Sequence, residues 1–219
     1  MRAREIYERY QVPPWLQLHQ VRVAAVGKLL AESLTDPVDT HLIVMTCLVH
    51  DIGAIVKFDF SPSVLAALDD VCPPEDVPHW IAVQEEMHAR YGTREYPATD
   101  AIIGELDLEK VRHTFRDMGL SNLPRVLTEG SREARIAQYA DLRVGPHSVL
   151  PLLQRIADIT ERYRTRWNAE GRAEEAAHYP SLSRELEQQL FQDSHITPED
   201  LNDLSIRPVV DALWEYEVA

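Results

Sequence analysis

The chain has 219 residues, of which 45% are hydrophobic and 26% charged, a composition typical of a globular protein with one sizeable core. Its 22 basic and 36 acidic residues give a formal net charge of −14 at pH 7. Because nonspecific binding to a nucleic acid backbone depends on Lys and Arg, this charge disfavours polymeric nucleic acid as a partner. It does not exclude a small phosphorylated molecule, since a metal ion and a few basic side chains can dominate the local field.

The two cysteines, Cys47 and Cys72, show neither metal-type nor disulfide-type spacing, which is typical of a chain that folds in a reducing compartment. Residues 1–15 mix charges with prolines and contain no apolar run, so no signal peptide is expected. No stretch of about 18 apolar residues occurs, and no membrane span is expected. We therefore expect a cytoplasmic protein.

Apolar residues recur at spacings of three and four along most of the chain, and this periodicity predicts helices. A short amphipathic helix is predicted at residues 1–12, ended by two prolines, and a long helix follows at 15–34. The later predicted helices are 40–60, 81–91, 99–106, 108–118, 122–127, 131–143, 148–170, 182–192 and 198–204, with the tail 207–219 as a docking helix.

Two segments interrupt these helices. Prolines make residues 61–80 loop-rich, and the charged stretch 171–180 is expected to be mobile. No segment shows the period-two alternation of a half-buried strand flanked by hairpin turns. The predicted fold class is therefore all-α, a helical bundle.

The apolar run from Thr40 to Phe60 carries the adjacent pair His50 and Asp51. Up to Gly53 the run lacks Gly and Pro and is too long for an ordinary strand, so it predicts a buried helix with the pair inside it. An imidazole and a carboxylate are costly in a core unless they are hydrogen-bonded or bound to a metal. Alone, the pair fits either a core hydrogen bond or half of a metal site.

Two further polar residues favour the metal site. His19 lies on the predicted helix 15–34 and Asp141 on the predicted helix 131–143, each at the margin of an apolar stripe. Helical bundles build metal sites from side chains on separate helices, so these residues and the His-Asp pair could enclose one divalent ion. A mixed nitrogen and oxygen set with open positions suits Mn, Fe, Ni, Co or Mg, and also Zn.

This order of residues resembles the HD-domain superfamily of metal-dependent phosphohydrolases, in which a His precedes a buried His-Asp doublet and a final Asp lies on a helix. The segments that carry the resemblance are LHQVRVA around His19, LVHDIGAIVKFD around His50 and Asp51, and IAQYADLRV around Asp141. The flanking Arg22 and Gly53 agree with it, and it covers roughly residues 15–163. It implies an HD domain over residues 1–170, with a charged linker and C-terminal helical extension, 171–219, packed on the same domain.

The resemblance implies metal-assisted hydrolysis of a small phosphorylated molecule, above all a nucleotide, by an activated water that attacks phosphorus in line. The residues implied as metal ligands are His19, His50, Asp51 and Asp141. Lys57 and Arg22 would contact the phosphoryl oxygens, although each also fits an ordinary surface cation. Arg143 would bind either the phosphate or a carboxylate, or lie in solvent.

The sequence leaves open which residue acts as the general acid. Many nucleotidase-type members carry an acid three residues after the doublet's Asp, where this chain has Ala54. Asp51 is one catalytic candidate, and Asp59, just past the predicted helix, is a candidate for orienting water or protonating the leaving oxygen. Glu85 and Glu86 are further candidates that also fit a solvated helix face.

Some HD proteins hold a second metal through histidines between the doublet and the last Asp, and here His88 and His113 are the candidates. A di-iron oxygenase, as a few HD relatives are, would need both of them. A third interpretation is a non-enzymatic helical regulatory or binding protein in which His50 and Asp51 form a core hydrogen bond. The sequence leaves open whether the chain forms a homodimer.

Three aromatic residues precede His19 in the sequence. Tyr7, Tyr10 and Trp15 could stack on a nucleobase, but aromatic residues near a helix start also fit a core.

Overall fold

The computed structural model describes residues 1–61 and 72–219, and these confirm an all-α fold. The described residues contain no β-sheet, only isolated bridges. The helices are α1 Ala3–Arg9, α2 Pro14–Ser33, α3 Thr40–Val49, α4 Val77–Tyr91, α5 Glu95–Glu105, α6 Glu109–Asp117, α7 Leu123–Glu129, α8 Arg132–Asp141, α9 Leu152–Ala169, α10 Ala173–Ala177, α11 Tyr179–Phe191 and α12 Asp203–Leu213. Short 3₁₀ turns lie at Ala54–Lys57, Pro74–Asp76, Leu120–Asn122 and Pro198–Asp200. None of these helices is both long and apolar enough to cross a bilayer.

Helix α2 runs through the core and packs on α3, α8 and α12. A Cβ added at Gly27 would lie 3.1 Å from Ile43 Cγ2 and 3.3 Å from Cys47 Sγ on α3, and 3.6 Å from Ala140 Cβ on α8. The absence of a side chain at Gly27 therefore lets the three helices approach closely. Because His19 precedes this crossing on α2 while α3 ends after it, the start of α2 and the end of α3 meet at the same end of the bundle.

The predicted helix 40–60 is wrong in its second half. Helix α3 begins where the Asp39 carboxylate accepts the Leu42 N–H at 2.9 Å, and it ends at Val49. The chain then turns tightly, with the Ile52 N–H bonded to the Val49 carbonyl at 3.2 Å, and enters a 3₁₀ turn. The His-Asp pair therefore follows the helix rather than lying inside it.

The physical cause of this turn is contact with α5. The Gly53 N–H, which a continuous helix would donate to the Val49 carbonyl, donates to Thr99 Oγ1 at 3.1 Å. A Cβ added at Gly53 would lie 2.7 Å from the Thr99 nitrogen and 2.9 Å from the Ala98 carbonyl carbon. Helix α5 thus packs directly on the backbone of the turn, a contact that hydrophobic periodicity along residues 40–60 cannot show.

Other predicted boundaries shift for similar reasons. Of the predicted loop 61–80, residues 62–71 lie outside the described residues, and α4 begins at Val77 rather than at residue 81. The stretch 171–180, expected to be mobile, forms α10 and the start of α11. Arg172 orders this stretch, because its guanidinium donates to Glu175 and to the Tyr179 hydroxyl, each at 3.0 Å.

The C-terminal helices share the core with the helices before them. Helix α11 packs on α7, α8 and α9, and α12 packs on α2. The predicted helix 198–204 is instead a 3₁₀ turn followed by α12. The last residues lie against the first, since the Val218 N–H donates to the Met1 carbonyl and the Ala3 N–H to the Tyr216 carbonyl, both at 2.9 Å.

Candidate metal centre

Four polar side chains converge where α2, α8 and the turn after α3 meet. His19 lies on α2, Asp141 is the last residue of α8, and His50 and Asp51 open the turn. His19 Nε2 is 3.3 Å from Asp141 Oδ1 and 3.8 Å from Asp51 Oδ2. His50 Nε2 is 3.5 Å and 3.8 Å from the same two oxygens. The structure thus places side by side the four residues that the sequence pattern indicated.

The His50 ring is oriented by the end of its own helix. Its Nδ1 lies 2.7 Å from the Cys47 carbonyl oxygen, which can only accept, so Nδ1 carries a proton. In the neutral ring, Nε2 then has a free lone pair, as a metal ligand requires. This Nε2 is buried and has no hydrogen-bond partner, and the side chain is 4% exposed. A buried polar atom without a partner is costly, and a bound cation would satisfy it.

The spacing of the four groups fits one divalent ion. Ligands about 2.0–2.2 Å from a cation lie about 3 Å from one another. One ligating atom each from His19, His50 and Asp141 lies within 4.8 Å of the other two. Asp51 lies beside these three residues, with its Oδ2 3.8 Å from Nε2 of each imidazole, and is the fourth candidate ligand. The residues present therefore fit the mixed nitrogen and oxygen set of Mn, Fe, Co, Ni, Mg or Zn.

The imidazoles and carboxylates shift one another's pKa values. Burial disfavours the charged form of His50, but the carboxylates of Asp51 and Asp141 outweigh it and raise the His50 pKa to about 9, so a metal ion that binds Nε2 displaces a proton from the ring. Burial also opposes ionisation of Asp141, yet the neighbouring imidazoles of His19 and His50 hold its pKa well below the usual range. The pKa of Asp51 is lowered against burial by His50 and by Lys57. Both carboxylates are thus anionic, the form that ligates a cation.

Lys57 and Glu95 form an ion pair beside Asp51, with side chains 30% and 26% exposed. Burial opposes the charged form of Lys57, but Glu95 and Asp51 outweigh it and raise the Lys57 pKa, so the amine is cationic. Burial, together with the negative Asp51, raises the pKa of Glu95 to about 7. The sequence does not indicate Glu95, because no motif surrounds it and only the packing of α5 on Gly53 brings it to this place.

Arg22 and Asp59 lie at the surface. Arg22 follows His19 on α2, and its Nη1 donates to the Pro146 carbonyl at 3.3 Å, which occupies one of five guanidinium donors. Asp59 is exposed, and its Oδ1 accepts the Ser61 N–H at 2.8 Å. The phosphate contact of Arg22 and the acid or water-orienting role of Asp59 stay predictions.

Arg143 has a structural role rather than the expected contact with substrate. Its side chain is 3% exposed. Nε donates to the Leu150 carbonyl at 2.6 Å, Nη1 to the Tyr139 hydroxyl at 2.6 Å, and Nη2 to the carbonyls of Pro198 and Leu201 at 3.0 and 2.9 Å. These bonds direct the guanidinium into the protein and tie the end of α8 to the C-terminal helices, so a phosphate contact is not supported.

The second metal site is not supported either. His88 Nε2 lies 2.8 Å from the Val56 carbonyl and holds the 3₁₀ turn. His113, on α6, borders a surface depression that also includes Leu42, at the start of α3, whereas His50 follows the end of that helix. Across the described part of the chain, the centre described above is the one group of three or more metal-type ligands. The di-iron oxygenase required His88 and His113 together, and the structure does not bring them together.

Comparison with known proteins agrees with this geometry. No curated protein sequence and no solved structure matches the chain. The HD domain model matches residues 17–143, more than half of the 219 residues and a segment that includes all four converging side chains. The HD family consists of metal-dependent hydrolases that bind divalent cations, and the ligand order along the match is the one on which the resemblance was based. The chain therefore belongs to the HD-domain family of metal-dependent phosphohydrolases.

Proposed function

We propose that the protein is a divalent-metal-dependent phosphohydrolase that acts on a small phosphorylated molecule, with nucleotides as the substrate class. One observation carries the proposal: His50 Nε2, buried and without a hydrogen-bond partner, faces His19 and two ionised carboxylates inside the segment that matches the HD domain. A core hydrogen bond between His50 and Asp51, as a non-enzymatic interpretation requires, does not satisfy that nitrogen, because the Asp51 oxygen is 3.8 Å away.

Two of the four candidate ligands are anchored by hydrogen bonds within the protein itself. The His50 ring is fixed through the Cys47 carbonyl, and the Asp51 N–H donates to Gln20 Oε1 at 3.2 Å. A bound divalent ion would supply an activated water and a Lewis acid for the phosphoryl oxygen. Preorganised ligands of this kind lose little entropy on binding, so the protein side of the site is ready for the ion.

Lys57 is the residue best placed to bind the phosphate. It ends the 3₁₀ turn that follows Asp51, its amine is cationic and pairs with Glu95, and the Asp51 carboxylate is near enough to raise its pKa. A lysine in this position stabilises the charge that develops on the non-bridging oxygens of a phosphate ester. Arg22, one turn beyond His19, is the second candidate for the same role.

The net charge supports a small substrate. At −14, the chain repels a polymeric phosphate backbone, while the cationic groups near the centre attract one phosphate locally.

The test is a hydrolysis screen over nucleoside monophosphates, cyclic nucleotides and sugar phosphates with Mn, Co, Ni and Mg. We expect metal-dependent release of phosphate, or of a monophosphate from a diester, and its loss in His50→Ala and Asp141→Asn. The matched controls are His195→Ala and Asp211→Asn, since both residues are exposed and lie in the C-terminal segment. Binding of metal without hydrolysis of any phosphate ester would contradict the proposal.

A further inference from the structure

A cluster of aromatic rings lies beside the metal centre. Trp15 packs against Phe58 with ring centroids 6.2 Å apart and 30° between the ring planes. Trp80, on α4, meets Trp15 edge to face at 5.4 Å. His79 and Phe60 extend the cluster, 4.6 Å from Trp80 and 6.4 Å from Phe58. We call Trp15, Phe58 and Trp80 the aromatic cluster.

The chain connects this cluster to the candidate catalytic residues at two points. Trp15 is four residues before His19 on α2, so both lie on the same face of the helix, about 6 Å apart along its axis. Phe58 directly follows Lys57. Trp15 therefore lies about one helical turn from a candidate metal ligand, and Phe58 is adjacent in sequence to the proposed phosphate contact, a separation comparable to the sugar of a mononucleotide.

Side chains of α4 position the aromatic cluster through hydrogen bonds to the backbone around Phe58. Gln84 Nε2 donates to the carbonyls of Ile55 and Phe58 at 2.7 and 2.8 Å. His88 Nε2 bonds to the Val56 carbonyl in the same turn. Helix α4 thus fixes the backbone of Lys57 and Phe58 and also carries Trp80, so the ring surface and the proposed phosphate contact are positioned by the same element.

The exposure of these rings differs from that of the core aromatics. Tyr7 is 1% exposed and donates to the Leu48 carbonyl, and Tyr10 is 3% exposed. Of the two interpretations of Tyr7 and Tyr10, stacking on a nucleobase or packing in a core, the structure supports the core. All three members of the aromatic cluster remain partly exposed, and the neighbouring Ile81 is 37% exposed.

We propose that the aromatic cluster binds the planar ring of the substrate, so that the enzyme prefers a nucleoside monophosphate to a phosphorylated sugar without a base. This proposal rests on the proposed phosphohydrolase function. It assigns a binding site to the base, the part of the substrate that the metal centre does not contact. Stacking of a base on aromatic side chains is tolerant of base identity, so selectivity among the four bases is weak. The occupant is the ring of a small molecule because Trp15 lies only about one helical turn from His19.

The experiment compares the hydrolysis of two substrates in the presence of Mn²⁺. They are adenosine 5′-monophosphate and ribose 5-phosphate, which has an anomeric hydroxyl in place of the base. We expect a kcat/KM about tenfold or more higher for the nucleotide, since stacking on an aromatic side chain is worth about a factor of ten per base. Phe58→Leu and, separately, Trp80→Leu lower the ratio of the two kcat/KM values about tenfold, whereas Phe58→Tyr keeps it. The matched control is Phe191→Leu, a partly buried ring that packs on Tyr139 instead.

A second measurement does not depend on catalysis. Adenosine, which has no phosphate, should quench the tryptophan fluorescence of the wild type, and Phe58→Leu should weaken its binding about tenfold. If no phosphate ester is hydrolysed but adenosine binds in this way, the proposed function fails and the ring site stands. Equal kcat/KM values for nucleotide and sugar phosphate, or no binding of adenosine, would overturn the ring site and leave the phosphohydrolase intact.

Discussion

Two charged residues at the end of α8, the partly exposed Asp141 and the buried Arg143, differ in whether the protein supplies all their partners. Asp141 faces two imidazoles and a second carboxylate, and the group includes a buried nitrogen with no hydrogen-bond partner. Arg143 faces three carbonyls and a hydroxyl, and each of its guanidinium nitrogens donates to at least one of them. Both residues belong to the same sequence motif, and the sequence alone indicated a function for both.

The two residues differ in whether the protein itself supplies hydrogen-bond partners for every polar group around them. A buried charge whose hydrogen bonds are all made internally stabilises the fold and has nothing left for a ligand. A buried group that the fold leaves incomplete has a cost that a ligand can remove. We therefore expect substitutions of Asp141 to change metal binding and activity, and substitutions of Arg143 to change stability.

The largest expected effect is on activity at Asp141. Asp141→Asn keeps the size of the side chain but removes a ligand charge, so hydrolysis should fall at least about 1000-fold, which corresponds to about 4 kcal/mol. Metal content after dialysis should fall in parallel, and added Mn²⁺ should no longer raise the melting temperature as it does for the wild type. A variant that keeps its metal and its activity would remove Asp141 from the ligand set.

The next effect is on stability at Arg143. Arg143→Met leaves several buried acceptors without donors, and we expect a loss of about 3 kcal/mol or more in the free energy of unfolding, measured by urea denaturation. Arg207→Met, an exposed arginine on α12, is the control and should change stability by less than about 0.5 kcal/mol. Folded Arg143→Met should retain its metal. Normal stability with lost hydrolysis would reverse the assignment and return Arg143 to the substrate.

A smaller effect is expected at Lys57, which borders the metal ligands without being one. Lys57→Met should raise the KM for the phosphorylated substrate about 10- to 100-fold, because a cationic partner of the phosphate is lost, while metal content stays unchanged. Lys110→Met, exposed on α6, is the matched control. Loss of metal in Lys57→Met would show instead that the amine supports Asp51 and does not bind the phosphate.

The smallest effect concerns Asp100, a partly exposed carboxylate on α5 that belongs to neither side of this comparison. Hydrogen bonds from Arg116 and Arg112 lower the pKa of Asp100 from 3.8 to about 2. Because the folded pKa lies below the unfolded one, this contribution is present above about pH 4 and is lost as the pH falls towards 2. We expect on the order of 1 kcal/mol, reduced by solvent screening. Urea denaturation between pH 2 and 5 should show it, and Asp100→Asn should remove this part of the pH dependence.

Much of the site could be predicted from the sequence because its signal is local. The His-Asp pair, its flanking Gly53 and the ordered partners His19 and Asp141 each stand within a short motif on a helical pattern. The carboxylate Glu95 could not be found in this way. It stands in no motif, and it reaches Lys57 only because α5 packs on the turn after α3.

The sequence by itself determined the all-α class, the positions of most helices and the four ligand candidates, because helical periodicity and ligand type are properties of neighbouring residues. The tertiary structure alone decided where α3 ends, that Arg143 is directed inward, that His88 and His113 stay apart, and that Trp15, Phe58 and Trp80 form one surface. Each of these outcomes depends on contacts between residues far apart in the chain, which no pattern within a single segment specifies.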